Sequence, residues 1–384
     1  MTLCVFVLIA SEFMPVSLLT PIARDLGVTE GLAGRGIAIS GALAVLTSLT
    51  LSTLAGKMNR KFLLLGMTVL MAVSGLIIAL ATSYLMYMVG RAMIGVAIGG
   101  FWSMSAATAI RLVPQHQVTR ALAIFNAGNA LAIFNAGNAL ATVVAAPLGS
   151  YLGATVGWRG AFLCLVPMAV VAFIWQCISL PSMDANKSHT SCGAVFRLFS
   201  RRMVVVGMIA CGLFFMGQFA LFTYVRPFLE SVTRVNSLGL SLILLIIGVA
   251  GFIGTLVVSI FLNRKFYPTL MAIPGLMAVI AIGLMLTGHH VWMVSLLLGL
   301  WGMLATAAPT GWWTWIARTL PDNAEAGGGL MVAVIQLSIA LGSTAGGIVF
   351  DRLGWQSTFA MSSVLLLCAG VLTFVTARQK AGAL

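Results

Sequence analysis

Long apolar runs separated by short polar breaks dominate the chain. Each run has at least about 20 residues, the length that an α-helix needs to cross the hydrocarbon core of a bilayer. Twelve runs can be counted, at 1–21, 33–56, 62–82, 85–110, 119–155, 159–180, 204–229, 238–262, 268–288, 291–317, 327–350 and 355–377. The pattern predicts an all-α membrane protein with twelve transmembrane helices.

The longest polar break lies in the middle of the chain. It covers residues 181–203 and separates six runs from six. We therefore expect residues 1–180 to form an N-terminal six-helix bundle, 181–203 a cytoplasmic linker, and 204–384 a C-terminal six-helix bundle.

The composition supports lipid as the surrounding medium and as a partner. The chain is 60% hydrophobic and 8% charged, whereas about 25% of the residues of a soluble protein are charged. The formal net charge of +13 could suggest a nucleic-acid partner, but the basic residues form short clusters between apolar runs, so we expect no nucleic-acid partner.

Of the 21 Lys and Arg residues, fourteen lie on the side of both termini, six on the other side and one inside a run. This asymmetry predicts cytoplasmic termini.

The two halves of the chain repeat one another. The motif Asn-Arg-Lys-Phe follows both the second and the eighth run, 204 residues apart (263 − 59). Glu12 in the first run corresponds to Gln218 in the seventh, at an offset of 206 (218 − 12). Trp158 corresponds to Trp355 at an offset of 197 (355 − 158). Repeats of this kind are typical of transporters that bind substrate where the repeats meet.

A nine-residue unit, ALAIFNAGN, stands twice in the fifth run, at 121–129 and 130–138. Removing one copy would bring the offsets of the two halves into agreement, so we interpret one copy as an insertion. Nine helical residues add about 13.5 Å. We expect the second copy to keep the original register and the first to be displaced towards the cytoplasm. The alternative is a strain-specific or sequencing oddity, and whether transport survives the insertion stays open.

One acid and one base lie deep inside apolar runs. Glu12 lies about 16 Å along the first span at 1.5 Å per residue, near the middle of the membrane. Burial favours the protonated form of a carboxyl group, and we predict that Glu12 exchanges protons. A protonated, purely structural glutamate is the alternative. Arg91 keeps its proton and must find partners, which we expect to be Glu12 or, alternatively, backbone carbonyls.

Amide and indole side chains inside the runs are candidate substrate contacts. The indole rings could stack on a planar ligand, and the amides could bind it by hydrogen bonds. Each amide could equally bind another helix, and a tryptophan could mark the membrane interface. The candidates are Trp102, Gln218, Trp312, Gln336, Asn135 and Asn138.

Signatures of soluble enzymes are missing from the sequence. It contains no GxSxG, HExxH, P-loop or GxGxxG motif, and its six cysteines have no metal-ligand spacing. We therefore expect no enzymatic activity, no metal and no cofactor.

Several local motifs resemble signatures of the major facilitator superfamily. "GKMNRK" resembles the loop signature after span two, with Asn59 where the family has an aspartate; "GRAMIGVAIGG", with Arg91, resembles the span-four signature; and "AAPLGSYLG" resembles the antiporter signature of span five. The matching gating and motif positions are Gly56, Asn59, Arg60, Lys61, Pro147 and Gly149.

More specifically, "EFMPVSLLTPIARDLGV", "GGFWSMSAATAIRLVP" and "GQFALFTYVRPF" resemble purine ribonucleoside efflux pumps among the bacterial drug–proton antiporters. The resemblance implies a monomer of the bacterial inner membrane that exports nucleosides such as inosine and guanosine in exchange for protons, by alternating access. It also implies a central cavity lined by spans one, four, seven and ten. Export of other small molecules such as drugs or sugars is the first alternative. The second alternative is a membrane sensor or scaffold that does not transport. The third is a transporter that the insertion prevents from cycling.

Overall fold

The computed structural model describes residues 2–54, 58–111, 143–180, 202–320 and 324–381. The regular structure in these ranges is helical throughout. The helices are α1 Thr2–Leu26, α2 Glu30–Leu54, α3 Arg60–Ala79, α4 Tyr84–Arg111, α5 Val143–Thr155, α6 Gly157–Ser179, α7 Arg202–Phe222, α8 Ser237–Arg264, α9 Phe266–Thr287, α10 Val291–Thr319, α11 Ala324–Leu353 and α12 Trp355–Ala381.

The all-α membrane architecture predicted from the apolar runs is confirmed. Within the described ranges, eleven helices are long and apolar enough to cross a membrane, and α5 is a shorter apolar helix. The predicted fifth span begins at 119, outside the described residues, so the count of twelve spans stays a prediction. The repeat at 121–138 with Asn135 and Asn138, Gly56, and most of the linker lie outside the described residues as well.

The seventh helix ends earlier than the apolar run 204–229 predicts. It stops at Phe222 and is followed by a short helix, Val225–Phe228, and a π-helical turn, Leu229–Thr233. Pro227 has no N–H group to bond the carbonyl four residues before it. The break therefore lies where the proline interrupts the helical hydrogen-bond ladder.

Buried apolar side chains form two cores. One consists mainly of residues from α1 to α6, including Trp158 and Phe162. The other consists mainly of residues from α7 to α12, including Trp301 and Trp312. A few side chains cross over, such as Tyr224, which packs in the first core. Two cores are compatible with two bundles, but the division of the chain at 181–203 stays a prediction.

The two halves meet along two helix pairs. In the pair α2–α11, a Cβ atom on Gly41 would lie 2.8 Å from the carbonyl oxygen of Gln336. In the pair α5–α8, a Cβ atom on Gly248 would lie 2.6 Å from the Cα atom of Val143. A larger residue at either glycine would separate the backbones, because small residues are what allow membrane helices to approach closely. Side chains of α1 also contact α7 and α11 of the second half.

Candidate transport site

A carboxylate and an amide from opposite halves meet at the centre. Glu12 of α1 is 5% exposed, and Gln336 of α11 is 6% exposed. The Nε2 group of Gln336 donates a hydrogen bond to Oε1 of Glu12 at 3.2 Å. Both residues were predicted as site residues from the sequence, and the structure brings them into direct contact.

Two amide oxygens among the candidate residues lack donors. Oε1 of Gln336 and Oε1 of Gln218 are buried and have no hydrogen-bond partner among the described residues. A buried acceptor without a donor costs about 1–3 kcal/mol. A ligand that offers N–H or O–H groups would remove this cost.

Arg91 of α4 binds backbone and hydroxyl groups. It is fully buried, and its Nε, Nη1 and Nη2 atoms donate to the carbonyl of Gly36 at 3.0 Å, the carbonyl of Ser11 at 2.8 Å and Oγ of Ser40 at 2.9 Å. A longer contact of 3.5 Å reaches the backbone carbonyl of Glu12. The ion pair that we expected between Arg91 and the Glu12 carboxylate is not formed. The alternative expectation, bonding to backbone carbonyls, describes the geometry.

A proline explains why Arg91 binds α1 in this way. Pro15 lies inside α1 and has no N–H group. The carbonyl of Ser11, four residues earlier, therefore lacks its helical donor, and Nη1 of Arg91 supplies one at 2.8 Å. The arginine thus fixes the α1 backbone immediately before Glu12.

The same arrangement recurs at the next proline of α1. Pro21 leaves the carbonyl of Ser17 without its helical donor, and Nη1 of Arg226 donates to that carbonyl. Arg226 lies in the short helix after α7, so this bond joins the two halves. Its Nε and Nη2 atoms bind Oε1 of Glu230, both at 2.8 Å.

Two phenylalanines, which were not predicted from the sequence, stack across the two halves next to the site. The rings of Phe13 and Phe219 have centroids 5.8 Å apart at an interplanar angle of 24°. Phe222 packs edge-on against Phe219, with centroids 6.2 Å apart. Phe13 follows Glu12 and Phe219 follows Gln218, so the pair shares the offset of 206 (219 − 13). That coincidence is the signal in the sequence that could have identified them.

The predicted tryptophans have different surroundings. Trp312 is 2% exposed, lies in the core of α7 to α12 and packs edge-on against Trp315, with centroids 5.8 Å apart. Trp102 is half-buried and packs against the core of α1 to α6. Stacking of a ligand on Trp312 would therefore require that residue to leave its core.

The loop motif after α2 makes contacts within the first half. Oδ1 of Asn59 accepts a hydrogen bond from the backbone N–H of Lys61 at 3.0 Å and so caps α3, which begins at Arg60. Nζ of Lys61 donates to the carbonyl of Cys177 in α6 at 2.9 Å. These contacts cap the start of α3 and join it to α6.

The segment that resembles the antiporter signature contacts α1 of its own half and α8 of the other half. On one side, a Cβ atom on Gly149 would lie 2.6 Å from Oγ of Ser17 in α1. On the other side, Oγ of Ser241 in α8 donates to Oγ of Ser150 at 3.0 Å. Pro147 is half-buried in the same helix. The motif thus sits where α5 contacts α1 and α8 together.

Polar contacts close the end of the molecule away from the chain termini. Asp351, near the end of α11, accepts hydrogen bonds from Oγ1 of Thr29 at 2.6 Å and from the N–H of Gly31 at 3.1 Å. Tyr224 inserts nearby, and its hydroxyl group donates a hydrogen bond to the carbonyl of Ser343 at 2.7 Å.

A recess of about 620 Å³ lies at this end of the molecule. Its lining consists of Thr20, Pro21, Arg24, Asp25, Arg226 and Glu230.

A buried polar site where two helical halves meet is typical of secondary transporters. The comparisons with known proteins identify which kind. Residues 1–338 match the Major Facilitator Superfamily, and the chain belongs to that family. It is a multi-pass bacterial membrane protein of a transporter family.

Individual relatives cover nearly the whole chain. The protein is 61% identical to the transcription regulatory protein OpdE of Pseudomonas aeruginosa, over 99% of this chain and 93% of that relative. It is 40% identical to the purine ribonucleoside efflux pump NepI of Escherichia coli, over 98% of this chain and 92% of that relative. Among solved structures, it resembles a bacterial homologue of the human lysosomal transporter Spinster in an inward-facing, unoccupied conformation. The TM-score is 0.76 at 14% identity, covering 98% of this chain and 95% of that one.

Proposed function

We propose that the protein exports purine ribonucleosides of the inosine and guanosine type across the bacterial inner membrane in exchange for protons. The carrying observation is the hydrogen bond at 3.2 Å between Glu12 and Gln336, which joins a titratable group of one half to an amide of the other. The relatives named as purine ribonucleoside efflux pumps, at 39–40% identity, support the choice of substrate. Both termini face the cytoplasm in this proposal.

Glu12 is the proton-exchanging group. An ionised carboxylate only accepts hydrogen bonds, whereas a protonated one also donates. A change in the protonation of Glu12 therefore alters a bond between the two halves. In the proposed cycle, residues 1–180 rock against residues 204–384 about the 181–203 linker. The bond couples the protonation of Glu12 to this movement.

Arg91 is a positioning residue for Glu12. Its bonds to Ser11, Gly36 and Ser40 hold α4 against α1 and α2. Since the guanidinium group keeps its proton, Arg91 supplies a constant positive charge behind the carboxylate.

The substrate is held by rings and amides. The stacked pair Phe13 and Phe219 offers apolar surfaces to a planar base. Gln218 and Gln336 each present an amide oxygen that needs a donor, and the ring N–H of hypoxanthine or guanine is such a donor. Trp102, Trp312, Asn135 and Asn138 stay proposed contacts.

Inosine uptake into inverted membrane vesicles tests the proposal. We expect acidification of the vesicle interior to drive inosine accumulation by the native protein. The variant Glu12→Gln should lose accumulation while keeping inosine counterflow, because the amide cannot exchange a proton. Glu30→Gln, at the start of α2, is the matched control and should accumulate inosine normally.

Three results would contradict the proposal. Full accumulation by Glu12→Gln would exclude this carboxylate as the proton-exchanging group. Counterflow of inosine without any response to the proton gradient would exclude coupling. Transport of drugs or sugars without transport of inosine would exclude purine ribonucleosides as the substrate, while the assignment to a transporter family would stand.

A regulatory role is the second candidate, and the relative from Pseudomonas aeruginosa named as a transcription regulatory protein favours it. A transporter that changes the concentration of a metabolite also changes transcription indirectly, so export and a regulatory phenotype are compatible. The transcriptional responses of cells carrying the native protein and of cells carrying Glu12→Gln distinguish an exporter from a sensor that does not transport. A sensor that does not transport would give the same response with both; an exporter would lose it with the variant.

A further inference from the structure

The bond between Glu12 and Gln336 fixes the orientation of the amide. A carboxylate accepts only, so Gln336 must turn its Nε2 group towards Glu12, as observed at 3.2 Å. The amide oxygen of Gln336 then points elsewhere, and it has no donor among the described residues. With Glu12 ionised, the free side of this amide is a hydrogen-bond acceptor.

Protonation of Glu12 changes what the amide can do. The neutral carboxyl group carries an O–H donor, and the amide oxygen of Gln336 is its strongest acceptor nearby. The terminal torsion of a glutamine is soft and roughly two-fold, so the amide can turn over in place. Its Nε2 group then faces the free side. The hydrogen-bonding character of that side changes from acceptor to donor.

In the described part of the chain, the Gln336 amide is the side chain bonded to the Glu12 carboxylate, so it is the group that responds to protonation of Glu12. Arg91 of α4 is the charged group beside Glu12 in the described part of the chain, and it contacts the backbone carbonyl of Glu12. Tyr87, one turn earlier in α4, lies close enough to interact with Arg91. The other charged groups that contact α1 bind elsewhere, Arg226 at Ser17 and Arg159 at Asp25. Cys4 of α1 contacts the hydroxyl group of Thr68 in α3, which donates to Gln176 of α6.

We propose that Gln336 is the specificity-determining residue that links proton to substrate, through a reversal of its amide. Ionised Glu12 makes the site accept an N–H group of a ligand, and protonated Glu12 makes it reject that ligand. The proposal rests on the proposed function for the identity of the ligand. It explains why proton and nucleoside exclude each other although they touch different groups.

The proposal defines the ligand edge that is recognised. Inosine has a donor at ring nitrogen N1, and 1-methylinosine has a methyl group there. The native protein should bind inosine about 5–10-fold more tightly than 1-methylinosine at high pH, the effect of one hydrogen bond to a buried acceptor. Binding of inosine should weaken as the pH falls and Glu12 becomes protonated.

Binding of both nucleosides to the purified protein in nanodiscs, from pH 5.5 to 8.5, tests this. In Gln336→Met, which keeps the volume and removes the amide, inosine and 1-methylinosine should bind equally and with little dependence on pH. Gln176→Met removes a buried amide of α6 elsewhere in the structure and should leave the preference intact. If Gln336→Met keeps the native preference and pH dependence, the proposal is wrong while nucleoside binding stands.

An infrared titration gives a readout that needs no nucleoside. The carbonyl stretch of protonated Glu12, assigned by its absence in Glu12→Gln, should shift to higher frequency in Gln336→Met because the carboxyl group loses its acceptor. An unchanged band would overturn the amide reversal. If the native protein binds no inosine but the band shifts, the purine substrate is wrong and the link between Glu12 and Gln336 stands.

Discussion

Replacing Asp351 by asparagine should weaken the closure of the end away from the termini. The carboxylate lies near the end of α11 and accepts hydrogen bonds from Thr29 at 2.6 Å and from the backbone N–H of Gly31 at 3.1 Å. Thr29 directly precedes α2 and Gly31 lies in its first turn, so one side chain of the second half caps a helix of the first. Gly31 is needed there, because a Cβ atom at this position would collide with the Asp351 carboxylate and with the carbonyl of Gly347.

The size of the effect follows from these contacts. A negative charge at a helix N-terminus contributes about 0.3–1 kcal/mol. Hydrogen bonds to a charged group are worth roughly twice those to a neutral one, but Asp351 is exposed and water screens the gain. We therefore expect Asp351→Asn to shift the balance between closed and open forms by about 1–2 kcal/mol, or roughly 5- to 30-fold.

Distance measurements between spin labels would detect this shift. Labels at Arg24 and Leu353, both exposed, would report the separation of α1 from α11 on a background without the native cysteines. Thr155→Ala is the control, since the exposed hydroxyl group of Thr155 bonds carbonyls of its own helix α5 and its loss should leave the balance unchanged. An Asp351→Asn distribution identical to the native one, or shifted further towards short distances, would refute the reasoning.

Three further predictions concern packing and the repeat. Arg91→Lys should lower the free energy of unfolding by about 1.5–3 kcal/mol, the value of at least one hydrogen bond to a charged group, and a native-like detergent unfolding curve would contradict this. Gly149→Val should lower the free energy of unfolding by about 1–3 kcal/mol, because the added side chain collides with Ser17. Gly66→Val is the control, because the space around Gly66 is open. Equal unfolding curves for the two variants would contradict the packing argument. Deletion of 121–129 should preserve vesicle transport because the second copy supplies the same residues, and a folded but inactive shortened protein would show the insertion to be required.

The helical membrane architecture could be predicted from the sequence because the physical constraint is severe. A segment of about 20 apolar residues has few alternatives to a spanning helix in lipid. Glu12 could equally be singled out as a candidate from the sequence, since an acid inside a membrane-spanning segment is a functional candidate by default. Its contact with Gln336 was not accessible, because it depends on how α1 and α11 rotate and approach one another.

Rotation of the helices also limits what the sequence could say about Trp312. α10, which carries Trp312, is apolar on most of its surface, and a helix that is hydrophobic all round gives no signal for which face is buried in protein. The sequence therefore could not decide whether Trp312 faces a cavity or the core in which the structure places it. The stacking of Phe13 on Phe219 was overlooked although both follow the paired residues Glu12 and Gln218.

The two prolines of α1 explain how one helix serves both a fixed and a changing role. Each proline frees a carbonyl four residues earlier, and each free carbonyl accepts from a buried arginine. Arg91 comes from the same half as α1, so its bond to Ser11 persists however the halves move. Arg226 comes from the opposite half, so in the proposed alternating-access cycle its bond to Ser17 breaks when the closed end opens. Because Glu12 lies between the two carbonyls, the fixed bond holds the carboxylate in place, and the bond across the halves ties the far end of the same helix to closure.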